Sequence, residues 1–267
     1  MMRELHVTRG TTIFMSASNL PLRVLAEDGH LYHMYPIKKN ADPNIKVASE
    51  ILSNHFLHAW NIRNPLISGL YLHPQLAKDH RPQYRDGFMY VAYKKMDKAI
   101  QFSRILDDGH YWTFRSFDRP DDLIKIGLWD LWLNNEHRIN DKINLLIDTT
   151  PNGRLGIIPI RHDDIIPVLI KNKWERNVTY DEGKSVLDLQ LAAKTFFHLN
   201  KKLGINYWQG EFNRAIDVCQ QQFTEIVKSI NGSPKVDPRL WNQLYIFLFD
   251  PKRNKEVFSK FLEIMKK

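Results

Sequence analysis

Two clusters of polar residues flank a predicted β-hairpin in the middle of the chain. The first is the polar segment 134–142, which contains Glu136, His137 and Lys142. The second is Arg161-His162-Asp163-Asp164, at the far end of the hairpin. Carboxylates in such places can accept a hydroxyl proton or hold a hard cation such as magnesium, and Arg and Lys side chains can pair with phosphate. The two clusters therefore indicate chemistry on a phosphorylated or hydroxyl-bearing ligand.

A helix and the hairpin must position these clusters. The run LIKIGLWDLWLNN after residues 118–122 is apolar nearly all round, which predicts a buried central helix. Residues 143–147 and 155–160 are predicted strands joined by a Pro-Asn-Gly-Arg turn. Asp130 lies on the apolar helix, and a buried carboxylate needs partners. We expect Asp130 to hold the polar segment through Arg138 or backbone amides.

The first third of the sequence is typical of strands with one helix. Residues 22–25 and 31–35 are β-prone, and Asp28-Gly29 between them is a strong hairpin signal. Asp42 is a predicted N-cap, with Pro43 in the first turn of the helix that follows. Two more strands are predicted at 66–72 and 87–93.

The sequence after about residue 181 predicts helices to the end of the chain. Breaks are expected at Gly204 and at 231–234. The candidate helices are 184–203, 208–230, 237–249 and 251–266. We therefore expect a two-lobed α+β fold, with a β-rich N-terminal lobe at 1–98 and a mostly helical C-terminal lobe at 99–267.

The composition indicates a folded protein that does not span a membrane. The chain has 267 residues, of which 43% are hydrophobic, and no apolar run reaches the roughly 20 residues of a membrane span. The N-terminal sequence has no apolar core typical of a secretory signal. Cys219, the single cysteine, fits a reduced compartment and a helical core position. We expect a cytoplasmic location and no membrane contact.

The net charge favours an acidic partner. The formal charge is +8, from 38 Lys and Arg against 30 Asp and Glu. The basic residues are scattered, and no dense run resembles a nucleic-acid-binding tail. Ordinary solvated faces and a real binding patch both remain open.

Several of these residues carry a resemblance to the HipA-like kinases. The family's loop pattern, approximately D-x-W-x-x-N-x-D-R-x-x-x-N-x-N-L-L, is matched here by Asp130, Trp132, Asn135, Arg138, Asn144, Leu145 and Leu146. Its metal-strand pattern, approximately I-I-P-I-D-H, is matched by Ile157, Ile158, Pro159, Ile160 and His162. SASNLPLRVLAEDGHLY is similar to the family's phosphate-loop hairpin, and SEILSNHF to the helix that carries its Glu. The resemblance spans about residues 10–165.

The resemblance implies a kinase-like fold and a nucleotide site whose key positions are altered. His137 occupies the position of the family's base Asp, Lys142 that of its metal-binding Asn, and Arg161 that of its magnesium-binding Asp. Tyr35 stands where the strand Lys is expected, although Lys38 or Lys39 could reach in, and Glu50 keeps the helix Glu. The phosphate loop contributes Ser16 and Ser18 but no glycine. By resemblance, the nucleotide-binding candidates are Ser16, Ser18, Tyr35, Lys38, Glu50, Lys142 and Arg161.

These departures lead to the hypothesis of a pseudokinase, with no intact catalytic set. Arg161 and Lys142 would oppose a divalent cation, so bound magnesium is not expected, but they could pair with phosphates directly. The pseudokinase would act as a binding or regulatory module, and ATP binding without turnover stays open. The resemblance further implies a bacterial setting and a protein partner, encoded nearby in a toxin–antitoxin-like or regulatory operon.

Two other hypotheses stay open. The first is an active ATP-dependent serine/threonine kinase, a transferase with Glu136 or His137 as base and Asp163 as rescuing metal ligand. The second is a subunit associated with nucleic acid through its basic surface. No helix-turn-helix or single-strand-binding signature supports the second in the sequence.

Overall fold

The computed structural model describes most of the chain. The described residues are 3–6, 22–35, 42–72, 89–96, 99–102, 113–135, 138, 144–162, 164–171, 174, 178, 180, 182, 185–230 and 235–266.

A five-stranded sheet forms the N-terminal part. Its strands are β1 (Arg3–His6), β2 (Leu22–Leu25), β3 (Leu31–Met34), β4 (Ile67–Tyr71) and β5 (Met89–Lys94). The order across the sheet is β1-β4-β5-β3-β2, with β1 parallel to β4 and the other pairs antiparallel. The predicted hairpin between β2 and β3 is confirmed, and its turn needs Gly29 because the φ angle there is 77°.

Helix α1 (Pro43–Ala59) begins as predicted. The Asp42 carboxylate accepts a hydrogen bond from the Asn44 N–H at 2.8 Å, and Pro43 lies in the first turn. The helix packs into the core of the C-terminal part, where the Phe56 ring lies 5.4 Å from Trp132 and 6.5 Å from Phe223, centroid to centroid. The expected lobe boundary near residue 98 stays a prediction.

A second, three-stranded sheet lies beside the central helix. Its strands are β6 (Ile100–Gln101), β7 (Leu145–Thr149) and β8 (Leu155–Pro159), antiparallel in that order. Helix α2 (Asp121–Leu133) is buried along its length, and Trp129 and Trp132 are fully inaccessible to solvent. The predicted buried helix and hairpin are therefore both confirmed.

The rest of the described chain is helical. Its helices are α3 (Ile165–Lys171), α4 (Gln190–Leu203), α5 (Ile205–Ile230), α6 (Pro238–Leu248) and α7 (Pro251–Met265). The first predicted helix of this part was placed too early. Ser185 and Asp188 form a capping box around a short 3₁₀ turn, and Leu189 is extended, so α4 starts only at Gln190. The break at Gly204 is confirmed, with a φ angle of 79°.

The predicted α+β class, with strands first and helices later, is confirmed by this arrangement. Among the described residues, no helix combines the length and apolar character that a membrane span requires.

Candidate functional site

A buried carboxylate on α1 ties three elements together. Glu50 is only 3% exposed. Its Oε1 accepts a hydrogen bond from the Tyr93 hydroxyl of β5, and its Oε2 accepts one from the His162 backbone N–H at 2.6 Å. The Tyr93 oxygen in turn accepts the Arg161 backbone N–H at 2.5 Å. Glu50 and Tyr93 thus fix the backbone just after β8 from two sides.

Ser49 completes this attachment from the neighbouring position on α1. Its hydroxyl donates to the His162 carbonyl oxygen at 2.7 Å and accepts the Ile166 N–H at 3.2 Å. Both backbone groups of His162 are therefore bonded to α1. Sequence reasoning singled out Glu50 but missed Ser49 and Tyr93, because neither residue carries a local pattern that shows its long-range partner.

Arg161 has an unusual backbone and a defined side-chain position. Its φ angle is 60°, in the left-handed region that costs a non-glycine residue about 1–3 kcal/mol. Its guanidinium carbon lies 5.1 Å from the centre of the Tyr35 ring, a cation–π contact. The Tyr35 ring meets the Tyr93 ring edge-on at 5.8 Å. The predicted residues Tyr35, Glu50 and Arg161 are therefore brought together through Tyr93.

A second cation approaches the same segment from α1. Lys46, one turn before Glu50, has a side chain that is 4% exposed, and its Nζ lies 2.8 Å from Asp164 Oδ1. The Asp164 side chain is 45% exposed. This carboxylate, next to the proposed rescuing ligand Asp163, is thus engaged by a lysine. Sequence reasoning missed Lys46, which looks like an ordinary surface lysine in a helical pattern.

The polar segment after α2 is anchored at Arg138. The Asp130 carboxylate accepts from Arg138 Nε at 2.7 Å and from Nη2 at 2.6 Å, in a bidentate pair. Arg138 Nη1 also donates to the carbonyl oxygens of Asn144 at 3.2 Å and Ile160 at 3.3 Å. The expected structural role of Asp130 is confirmed. Burial raises the pKa of this carboxyl, and the Arg138 charge opposes that shift.

The start of the polar segment is anchored from the C-terminal end of the fold. Arg253 on α7 is 1% exposed, and its Nη2 donates to the Trp132 carbonyl at 2.6 Å and to Asn134 Oδ1 at 3.0 Å. Asn134 ends α2 in the left-handed conformation, with a φ angle of 52°. Two buried arginines thus anchor this segment: Arg253 holds residue 134, and Arg138 is itself held by Asp130.

His162 is part of the core of this region. Its ring meets Trp129 edge-on at 5.0 Å, and its Nδ1 lies 3.4 Å from Arg138 Nη2. Burial, together with the Arg138 charge, holds the pKa of His162 well below its usual value. The imidazole is therefore neutral at physiological pH, which suits a structural role.

Eight candidate residues lie outside the described part of the chain, so their placement is not discussed: Ser16, Ser18, Lys38, Lys39, Glu136, His137, Lys142 and Asp163. Within the described residues, no group of three or more His, Cys, Asp or Glu side chains could hold a metal ion.

Comparisons with known proteins show a similarity to solved structures. No family model matches the chain, and no curated protein matches it. A solved structure that it resembles is the Helicobacter pylori proinflammatory kinase CtkA, at 11% sequence identity over 98% of each chain and with a TM-score of 0.49. At this identity and TM-score, a common family or activity does not follow.

Proposed function

We propose that this protein is a kinase-like pseudoenzyme that binds a phosphorylated nucleotide, ATP, through Arg161 without metal-dependent phosphoryl transfer. The observation that carries the proposal is the cation at the end of β8. The HipA-like pattern implies a magnesium-binding carboxylate at this position, and here a guanidinium rests on the Tyr35 ring. A fixed cation repels a divalent ion and attracts phosphate oxygens.

The environment of Glu50 supports the same reading. In this chain the two Glu50 oxygens receive the Tyr93 hydroxyl and the His162 N–H. Through these hydrogen bonds the carboxylate helps to hold the Arg161 backbone in place. Such a protein would signal through a protein partner that distinguishes the loaded site from the empty one.

The test is the melting temperature of the purified protein with ATP, in magnesium and in EDTA. A ligand that binds the native state alone raises the melting temperature. We expect a rise of similar size in both buffers, and its loss in Arg161→Gln. Arg154→Gln is the matched control, because Arg154 is exposed at the opposite end of the same hairpin and should leave the rise intact.

Other outcomes would contradict the proposal. A rise that requires magnesium would favour the active kinase, and loss of γ-phosphate transfer in Asp163→Ala would then identify the rescuing ligand. No rise with ATP in either buffer would exclude nucleotide binding. A rise that persists in Arg161→Gln would remove Arg161 from the site.

A further inference from the structure

Helix α4 presents two different faces. Its buried face holds the helix to the core, with the Phe196 ring 5.7 Å from Trp208 and 5.5 Å from Phe261. The opposite face is exposed and contains Lys194, Phe197, His198, Lys201 and Lys202. This second set of residues, here named the α4 basic face, involves none of the residues around Glu50 and Arg161.

No acidic side chain balances this face from within its own helix. From Leu189 to Gly210 the sequence has no Asp or Glu. Lys194, Lys201 and Lys202 have no carboxylate partner in the part of the chain that the structure describes. The helix C-terminus also lies here, at Leu203, and its dipole favours cations in the last turn.

Two lysines on the neighbouring helices do have carboxylate partners. Lys228 on α5 pairs with Glu225 at 2.8 Å, and Lys260 on α7 pairs with Glu263 at 3.0 Å, each three residues away. Lys255 on α7 is also exposed and has no carboxylate partner among the described residues, so an unpaired lysine alone does not distinguish a surface in this protein. The α4 basic face differs from the other helix surfaces in combining a helix without acidic residues with an exposed aromatic ring among its lysines.

Phe197 lies between the lysines of the α4 basic face. Its side chain is 73% exposed, the highest value among the large hydrophobic residues that the structure describes. Lys194 and Lys201 lie one turn to either side, about 10 Å apart along the helix axis. An aromatic ring between flexible cations can stack on a base while the lysines reach the flanking phosphates.

We propose that the α4 basic face binds single-stranded nucleic acid, with one base stacked on Phe197 and the phosphates next to it on Lys194, Lys201 and Lys202. A duplex offers the same charge but no unstacked base, so single strands should bind better. The scattered +8 charge of the whole chain supplies long-range attraction.

A membrane surface fits this face less well. A helix that lies on a bilayer needs a broad apolar face, with several residues that enter the lipid together. Leu203 is also exposed, at 41%, but it lies nine residues from Lys194, which is two and a half turns and so the opposite side of the helix. The α4 basic face therefore offers one aromatic ring, which suits a single stacked base.

The test is fluorescence anisotropy with a labelled single-stranded oligothymidylate, at salt concentrations from ~50 to ~200 mM. We expect salt-sensitive binding, which Phe197→Ala weakens about tenfold through loss of one stack. The triple variant Lys194→Gln, Lys201→Gln, Lys202→Gln should lower the slope of log affinity against log salt by roughly 2. Lys228→Gln, an exposed lysine with a carboxylate partner, is the matched control and should leave both values unchanged.

Circular dichroism and melting temperatures of the variants keep the result interpretable, since every altered side chain is exposed and folding should not change. Absence of binding at ~50 mM salt would overturn the proposal. Equal affinity for single strand and duplex, with no effect of Phe197→Ala, would also overturn it and leave plain charge attraction. Binding to vesicles of phosphatidylserine and phosphatidylcholine without binding to the oligonucleotide would point to a membrane instead.

Discussion

The Glu50 carboxylate accepts the backbone N–H of His162 at 2.6 Å, across 112 residues of sequence. The contact joins the middle of α1 to the segment that follows β8. The backbone next to Arg161 is therefore held by a helix residue that lies far away in the sequence.

Glu50→Gln should lower the free energy of unfolding by about 1–3 kcal/mol, because the amide has one acceptor oxygen where the carboxylate uses two. Tyr93→Phe should cost a similar amount, since it leaves the Arg161 N–H without its phenol acceptor. The two changes affect one network, so their combined effect should be smaller than the sum. Urea unfolding of the two single variants and of the double variant gives the three free energies that are compared.

The control for the comparison of single and double variants is Tyr245→Phe. The Tyr245 hydroxyl accepts from Gln220 at 2.9 Å on the exposed surface, so its loss should change stability by less than about 0.5 kcal/mol. Additive effects of Glu50→Gln and Tyr93→Phe would show that the network does not act as a unit.

Asp130→Asn should destabilise the fold by about 3–5 kcal/mol, because it leaves the Arg138 guanidinium buried without a charged partner. Glu225→Gln breaks the exposed pair with Lys228 and should cost less than about 0.5 kcal/mol. Guanidinium chloride unfolding of both variants gives the comparison. Equal small losses would mean that the buried pair contributes no more than a surface pair.

Asp122 should make stability depend on pH. Burial raises the pKa of this carboxyl from 3.8 to about 7, against the lowering effect of Arg119, whose Nη2 lies 3.0 Å from Oδ1. Asp121 adds to the rise, and Lys125 and Arg63 oppose it. The folded state then binds a proton that the unfolded state has released. This contribution to stability is complete below pH 4 and is lost as the pH rises through 7.

The measurement is the free energy of unfolding between pH 5 and pH 8. The wild type should lose roughly 2 kcal/mol relative to Asp122→Asn over this window, since one pKa unit corresponds to 1.36 kcal/mol. Asp217→Asn lies at an exposed position on α5. Its curve of unfolding free energy against pH should run parallel to that of the wild type. Parallel curves for Asp122→Asn and the wild type would show that Arg119 keeps the carboxyl ionised.

Two helical glycines should respond to alanine in opposite directions. A Cβ at Gly127 would lie 2.3 Å from Leu187 Cδ2 and 3.1 Å from Val186 Cγ2, so Gly127→Ala should destabilise by about 1–3 kcal/mol. Gly210 has no heavy atom within 4 Å of its Cβ position, and Gly210→Ala should stabilise by about 0.5–1 kcal/mol. Melting temperatures of the two variants test both signs, and a gain at position 127 would mean that Leu187 moves aside easily.

Local chemistry explains which elements could be predicted from the sequence. The Asp28-Gly29 turn and the Asp42-Pro43 helix start depend on neighbouring residues, and both are confirmed. Strand β1 was not predicted, because its partner β4 lies more than 60 residues away. Helix α3 was also missed, since its sequence IIPVLIK contains a proline and is as typical of a strand as of a short helix.

Some residues of the candidate site could also be predicted from the sequence, and others could not. Glu50, Arg161 and the Asp130–Arg138 pair could be identified because each stands at a fixed spacing within a recognisable segment. Tyr93 and Lys46 could not, because their roles come from contacts across 68 and 118 residues of sequence. Hydrogen-bond partners at that separation are set by the packing of whole elements.

The placement of α1 has a mechanical consequence. The helix that carries Glu50 follows the N-terminal strands, yet its Phe56 ring is inserted among Trp132 and Phe223 of the C-terminal core. A rotation of α1 that moved Glu50 outwards would also remove the Phe56 ring from its contacts with Trp132 and Phe223. We therefore expect α1 to keep its position when a ligand binds.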